Sequence, residues 1–526
     1  MTSGKSLFDG LDSEPGKKRR LRLLGAVAVV IFLLYYSWLL WTNLCDVAGG
    51  SDSSGYLNYA WRLRHGNLRE PIKALEVLNL GDEYSQLFRP LGMTWGSDRR
   101  TIVPAYPPGL PFHMVLLAEI FGWEKGPYLV SPLAALIGIF LMYALSRQLG
   151  LSRPLSLAGG AWLAGFPVFL FIAVQPMSDV LAVFWSMAAI LAGLRSRKDS
   201  AWAWLAGASF GIGILVRPTN LLILFPLLFA MPLKPKVYAR FLLGGLVFGV
   251  LQIAMNIALY GAPLTTGYRG EITASLAVRN FFPGFLHYSR WLSNMLTPLV
   301  PLAWLGILLD RKIVWKDRLL LFFWFAPFLV FYSVYGPSEN WTFLRFFLPA
   351  LPALIFSALL VLREVQGYFI AKFSPGPGVK PPRRSLAPLV PKGLAVILVV
   401  LVAAVEIREI KKLKLLDVNE YEAVYKLGSL FVKNKLPEKS IVLSAQMSGA
   451  LTYYTNLIPC LWDVLQPGKF SSVRHAALLH GYDLFALLFP FEEEGFQNKI
   501  PGRWQKIETI HFLSLWRLVP GAKAKS

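Results

Sequence analysis

Two carboxylates and two arginines carry most of the chemistry this sequence offers: Asp52, Asp179, Arg217 and Arg345. Each stands at the end of an apolar stretch. Asp52 lies in Gly49-Gly50-Ser51-Asp52-Ser53-Ser54-Gly55-Tyr56, Asp179 in Gln175-Pro176-Met177-Ser178-Asp179, and Arg217 in Arg217-Pro218-Thr219-Asn220. Arg345 lies in a run from Trp341 to Pro352 that is otherwise nearly all apolar. An ionisable group at membrane depth is costly unless it is paired or solvated, so each of the four is a functional candidate. Arginine grips phosphate through paired hydrogen bonds, and a carboxylate can take the proton of an attacking hydroxyl.

Each has a plainer reading. Asp52 can cap a helix carrying a Tyr56, Tyr59, Leu63 stripe that ends at Gly66, and Asp179 can cap a helix beginning at Val180. Arg217 can snorkel to lipid headgroups, and Arg345 can anchor the interface beside Trp341. Asp82-Glu83-Tyr84 is a rival acidic pair.

The elements that must position these residues follow from composition. The 526 residues are 55% hydrophobic and 16% charged, with a mean hydropathy of +0.48. So few charges cannot cover a soluble chain of this length, which makes this a polytopic membrane protein. The net charge of +22 would suggest nucleic acid in a soluble protein. Here the basic residues fall in short loops between apolar spans and orient the chain, so no nucleic-acid partner is expected. Cys45 and Cys460 leave room for one disulfide at most. His65, His113 and His287 have no partners at metal-ligand spacing, so no metal ligand is assigned.

Lys17-Lys18-Arg19-Arg20 precedes the first apolar run, 23–43, and places residues 1–22 in the cytoplasm. Asp52 is then outside. The first outer loop, 44–127, holds Tyr106-Pro107-Pro108 and an apolar run to Phe121-Gly122 that is too short to span. Taking that run as flat on the membrane puts the remaining basic loops inside. It gives further spans at 128–147, 155–174, 179–194, 200–216, 219–232, 239–260, 290–309, 317–335, 345–363 and 392–406, eleven in all. Arg89, Arg99 and Arg100 run against the charge bias of an outer loop and are candidates for phosphate contact. Residues 364–391 form a basic cytoplasmic linker.

Residues 407–526 change character. A helix over Glu420–Lys435, strands at Ser440–Ser444, Ile458–Trp462 and Phe512–Leu518, and a helix start at Gly449–Tyr454 indicate a small extracytoplasmic α/β domain. Tyr453 and Tyr454 fit its core better than a sugar platform. The expected fold is an all-α membrane domain over 23–406, followed by that domain over 407–526.

The order of these motifs resembles the GT-C superfamily of integral-membrane glycosyltransferases, particularly the branches of the protein O-mannosyltransferases and the lipid A aminoarabinose transferase. Asp52, Tyr56 and Ala60 repeat the spacing of the family's first outer loop, and Tyr106-Pro107-Pro108 leads into an interfacial helix ending in Phe121-Gly122. Ser178-Asp179 and Arg345 through Pro349 resemble later family motifs. The resemblance covers most of 20–360. Ser53 stands where the family usually has Glu.

The resemblance implies transfer of a sugar from a polyprenyl-phosphate donor to a glycan, lipid or protein acceptor at the outer face of the inner membrane, with inversion at the anomeric carbon. Asp52 would be the general base, and Asp179 would bind the sugar or orient an arginine. Arg217 and Arg345 would hold the phosphate, with Tyr56, Tyr106 and Trp341 as further substrate contacts. It requires no cofactor and leaves a divalent metal open. A transporter or flippase of lipid-linked sugars is the alternative from another class, and it would call for broken helices and charges within spans.

Overall fold

A computed structural model describes residues 15–268, 275–308, 313–336, 340–373 and 390–519. The chain is a multi-pass membrane protein. Among the described residues six helices are long and apolar enough to cross a membrane: Leu23–Thr42, Gly126–Gln148, Ser178–Arg195, Pro235–Tyr260, Trp315–Val334 and Trp341–Tyr368. A bent pair, Arg153–Gly165 and Pro167–Ala173, makes a seventh if counted as one span. Phe166, held between the two helices by the proline that follows it, turns the chain by 64° there.

The expected count of eleven therefore meets a structure with several shorter pieces. Trp202–Val216 and Pro218–Ala230 are apolar but short, and the expected span 290–309 is two helices, Phe281–Leu296 and Leu299–Gly306, broken at Thr297. Thr297 has φ 71°, a left-handed conformation that no continuous helix contains. The helix expected at 392–406 runs from Val390 to Lys412, and the linker at 374–389 lies outside the described residues.

Two kinds of helix surface are present. Leu23–Thr42 and Pro235–Tyr260 bury only 11% of their most apolar windows and expose Leu34, Trp38, Leu246 and Val250, as lipid-facing helices do. Ser178–Arg195 and Trp341–Tyr368 are 78% and 83% buried, at the centre of a core that includes Trp162, Trp324 and Phe356. The residues with chemical potential sit on these central helices or at their mouths.

The loop over 44–127 folds onto that core. Ser51–Arg64 is a helix, and β1 (Glu70–Pro71), β2 (Met93–Trp95) and β3 (Thr101–Pro104) form a small antiparallel sheet in the order β1-β3-β2. Gly109–Phe121 is a helix of 13 residues, about 20 Å long, and so too short to span.

The C-terminal region is α/β. Its five strands are β4 (Ser440–Leu443), β5 (Ile458–Cys460), β6 (Asp483–Leu488), β7 (Trp504–Ile510) and β8 (Leu513–Leu518), ordered β5-β4-β6-β8-β7. The first three are parallel, and the last two pair antiparallel. The helix Val418–Lys435 and strands β4, β5 and β8 match the expected elements closely. The central strand β6, the edge strand β7 and two helices, Pro467–Leu479 and Pro490–Lys499, had no sequence expectation.

Candidate active site

Asp52 sits in the first turn of its helix, but it does not cap it. Gly50 holds the N-cap position without a side-chain bond, and the Asp52 carboxylate is engaged by distant groups instead. The Tyr106 hydroxyl donates to Oδ1 at 2.6 Å, and Arg345 Nη2 donates to Oδ2 at 2.6 Å. Ser51 bonds the Tyr106 hydroxyl at 2.9 Å, which secures the phenol from its other side. Burial pushes the Asp52 carboxyl up, but the Arg345 guanidinium and the Tyr106 hydroxyl pull harder the other way and leave it below the ordinary carboxylate range.

Local structure explains how Tyr106 gets there. It follows β3 directly, and the Ala105 amide donates to Gly92 O at 3.1 Å to hold the strand's exit. The Tyr106 ring lies 4.7 Å from that of Tyr56, over Gly55, where a Cβ would collide with the ring and with the Gly92 backbone. Gly92 has φ 81°, so both the approach and the conformation demand glycine.

Arg217 and Asp179 form the second pair. Pro218 forces Arg217 into extended backbone, φ −146° and ψ 119°, ending the helix and turning the side chain toward the start of Ser178–Arg195. There Nη1 pairs with Asp179 Oδ1 and reaches Ser178 Oγ at 3.5 Å. Asp179 caps nothing. It is buried, and among the described residues its Oδ2 has no hydrogen-bond partner. Tyr56 donates to Ser178 at 2.9 Å and so ties the Asp52 helix to the Asp179 helix.

A single cavity of about 370 Å³ is lined by Asp52, Tyr56, Tyr106, Asp179, Arg217 and Arg345. Six of the seven residues singled out from sequence therefore converge. Trp341 does not line it; its ring packs on Phe171 at 5.2 Å, in the turn that carries Arg345. The rival Asp82 pairs with Arg100 at 2.7 Å, and Arg89 lies over the Trp95 ring at 4.6 Å, so the outer-loop cations considered for phosphate have other partners in these two cases. Tyr453 and Tyr454 sit between domains: Tyr453 accepts from Trp123 and Tyr454 from the Ala48 amide, each at 2.9 Å. Cys45 and Cys460 are both free and buried.

Phe346 had no signal in the sequence beyond being next to Arg345. The guanidiniums of Arg217 and Arg345 lie 5.4 and 5.5 Å from its ring centroid, so one aromatic ring steadies both cations. Tyr268, Tyr332 and Tyr335 also line the cavity and add aromatic and hydroxyl surface of the kind that binds sugars. Sequence proximity to the four ionisable residues could not find these three, which lie on other segments. Among the described residues no three His, Cys, Asp or Glu side chains gather as a metal cluster.

The architecture matches known proteins. The model of the dolichyl-phosphate-mannose-protein mannosyltransferase family matches residues 105–259. The crystal structure of ArnT from Cupriavidus metallidurans bound to undecaprenyl phosphate superposes with a TM-score of 0.54 at 14% identity, covering 94% of this chain and 99% of that one. This is the GT-C fold. The apo structure of the same ArnT gives 0.51 at 15% identity, over 94% of this chain and 98% of that one. No curated protein sequence matches the chain. The GT-C fold covers both the helical membrane region and the small C-terminal α/β region.

Proposed function

We propose that the protein is a glycosyltransferase that moves a sugar from a polyprenyl-phosphate donor to an acceptor hydroxyl at the extracytoplasmic face. The observation that carries this reading is the meeting of two carboxylate–arginine pairs in one cavity, each arginine held against the same aromatic ring. The match to a polyprenyl-phosphate-dependent family and the undecaprenyl phosphate bound by ArnT support the donor class.

The steps follow from the groups present. The acceptor hydroxyl attacks the anomeric carbon and passes its proton to Asp52, while the bond from that carbon to the phosphate oxygen breaks. The electron pair leaves with the polyprenyl phosphate, whose charge Arg217 and Arg345 offset. A single displacement of this kind inverts the anomeric centre. Asp179 holds Arg217 in place, and its unpartnered Oδ2 is an acceptor for a sugar hydroxyl. The residues present do not specify a metal, and none of these steps uses one.

The test is sugar transfer in isolated membranes supplied with a lipid-linked donor. Asp52→Asn should lower transfer at least a hundred-fold, the usual contribution of a positioned base. Full activity in that variant would remove the assigned role. A second reading, transport of the lipid-linked sugar, draws on the broken helix pair at Phe166, where Glu406 packs against Gly165. Movement of donor across the bilayer without transfer, unaffected by Asp52→Asn, would favour it.

A further inference from the structure

The helix Ser51–Arg64 presents two faces to two different cavities. Asp52 and Tyr56, four residues apart, face the site described above. Asn58, Trp61, Arg62 and His65 recur at the spacing of a second stripe and line a separate cavity of about 290 Å³. Its other wall is the C-terminal domain, from Thr452 to Pro459, so it lies where that domain meets the outer loop. Asn58 Nδ2 donates to Gly449 O at 3.0 Å and fastens the two walls together.

The polar groups of this cavity are not spent on folding alone. Arg62 is only 7% exposed and pairs with Glu70, yet among the described residues its Nη1 has no hydrogen-bond partner. Lys73 lies 3.8 Å from the same carboxylate and is itself exposed. Two cations facing one carboxylate leave a net positive charge. Trp61 exposes 44% of its surface beside them, its ring 4.1 Å from that of His65 and 5.0 Å from that of Trp123, so aromatic surface lies next to hydrogen-bond donors. That combination suits a sugar carrying an anion.

We propose that this cavity binds an anionic group, phosphate or carboxylate, on the glycan portion of the acceptor whose hydroxyl is delivered to Asp52. The inference rests on the glycosyltransferase reading for its role, though the binding itself does not. Arg62 lies ten residues beyond Asp52 on one helix, about 15 Å along its axis. An acceptor touching both is therefore a short glycan chain rather than a single sugar. The rigid helix would set the distance between the anion and the reacting hydroxyl, which would select acceptors by length as well as charge.

The binding test uses the full-length protein in detergent and saturation-transfer NMR, with glucose 6-phosphate, glucuronate and glucose as probes. One or both anionic sugars should bind about ten-fold tighter than glucose, the scale of one charge-assisted hydrogen bond. Which of the two does so separates phosphate from carboxylate recognition. The preference should survive Arg345→Ala and fall about ten-fold in Lys73→Glu, whose exposed position leaves the melting temperature unchanged, and also in Arg62→Gln. Equal binding of all three sugars, or a preference that Arg345→Ala removes and Lys73→Glu leaves intact, would overturn the proposal.

In membranes, Lys73→Glu should reduce transfer to envelope acceptors while hydrolysis of the donor by water continues at the wild-type rate. Unchanged transfer in that variant would sink the acceptor role. Absence of transfer in the wild type would instead count against the glycosyltransferase reading and leave the binding preference standing.

Discussion

Asp52 accepts hydrogen bonds from Tyr106 and Arg345 together, so its charge is fixed before substrate arrives. A carboxylate held that way is a weak base. A donor phosphate drawing on Arg345 would loosen the pair and raise the basicity of Asp52 at the moment an acceptor needs it. This ties donor binding to base strength and has a measurable sign. With Arg345 in place, the carboxyl sits below the ordinary carboxylate range, so in the free enzyme the acid limb of transfer should lie lower than that of an ordinary carboxylate. In Arg345→Gln only the Tyr106 hydrogen bond and the Arg217 charge still oppose burial, and the acid limb of kcat/KM should move upward by at least one pH unit. The rate itself should drop by about a hundred-fold or more, as for loss of one charge-stabilising donor. A pH–rate profile of transfer reads both; an unmoved acid limb would show that Arg345 does not govern Asp52.

At the scale of elements, the site depends on a close crossing that has no ionisable residue in it. Gly55 and Gly92 meet where the Asp52 helix passes the turn before β2, and this lets Tyr106 reach over to the carboxylate. Gly92→Ala adds a Cβ that strikes the Gly55 backbone and a side chain at φ 81°, and should destabilise the outer loop by about 2–4 kcal/mol, combining left-handed strain with overpacking. Gly66→Ala is the control: φ is 68° there, but the space around it is open, so only the strain of about 1 kcal/mol applies. Thermal melting and transfer rate should separate the two variants, with activity lost only in Gly92→Ala. Equal effects would mean the crossing does not hold Tyr106.

The same elements mark what could be read from the sequence. The plainer reading of Asp52 as a cap arose because local spacing sees only neighbours, whereas its partners are 54 and 293 residues away. Arg217, by contrast, was legible in context, since Pro218 after it dictates both the helix end and the extended backbone. Strand β6, Asp483–Leu488, was missed because its five consecutive buried residues give no alternation to separate a strand from a core helix. The span 290–309 failed because its apolar run continues past Thr297, although Pro298 after it carries the same break signal as Pro218.

Across the whole molecule, the membrane and C-terminal domains meet at the stretch leading into the Asp52 helix. There Glu422, on helix Val418–Lys435, packs against Gly49, so closely that a Cβ on the glycine would strike the carboxylate. Burial pushes the Glu422 carboxyl up to about 7. Around it lie Cys45 and Tyr425, and the Lys426–Asp46 ion pair at 3.4 Å, which spends the nearby cation on another acid. A carboxyl whose folded pKa is raised lends its stability fully below the unfolded value, near 4.5, and loses it as pH climbs through the folded value. Docking of the domains should accordingly weaken between about pH 4.5 and 7 by roughly 1–3 kcal/mol. Hydrogen exchange over residues 45–55 and 418–432 of the full-length protein should report this as protection lost with rising pH, after correction for the intrinsic exchange rate. Glu422→Gln, which cannot ionise, should hold the low-pH protection throughout and melt higher than wild type at pH 8. A wild-type profile that is flat across this range would show that Glu422 does not couple the two domains. Because Gly49 leads directly into Ser51-Asp52, any loosening there reaches the base itself, and transfer rate should follow the same pH course as the protection.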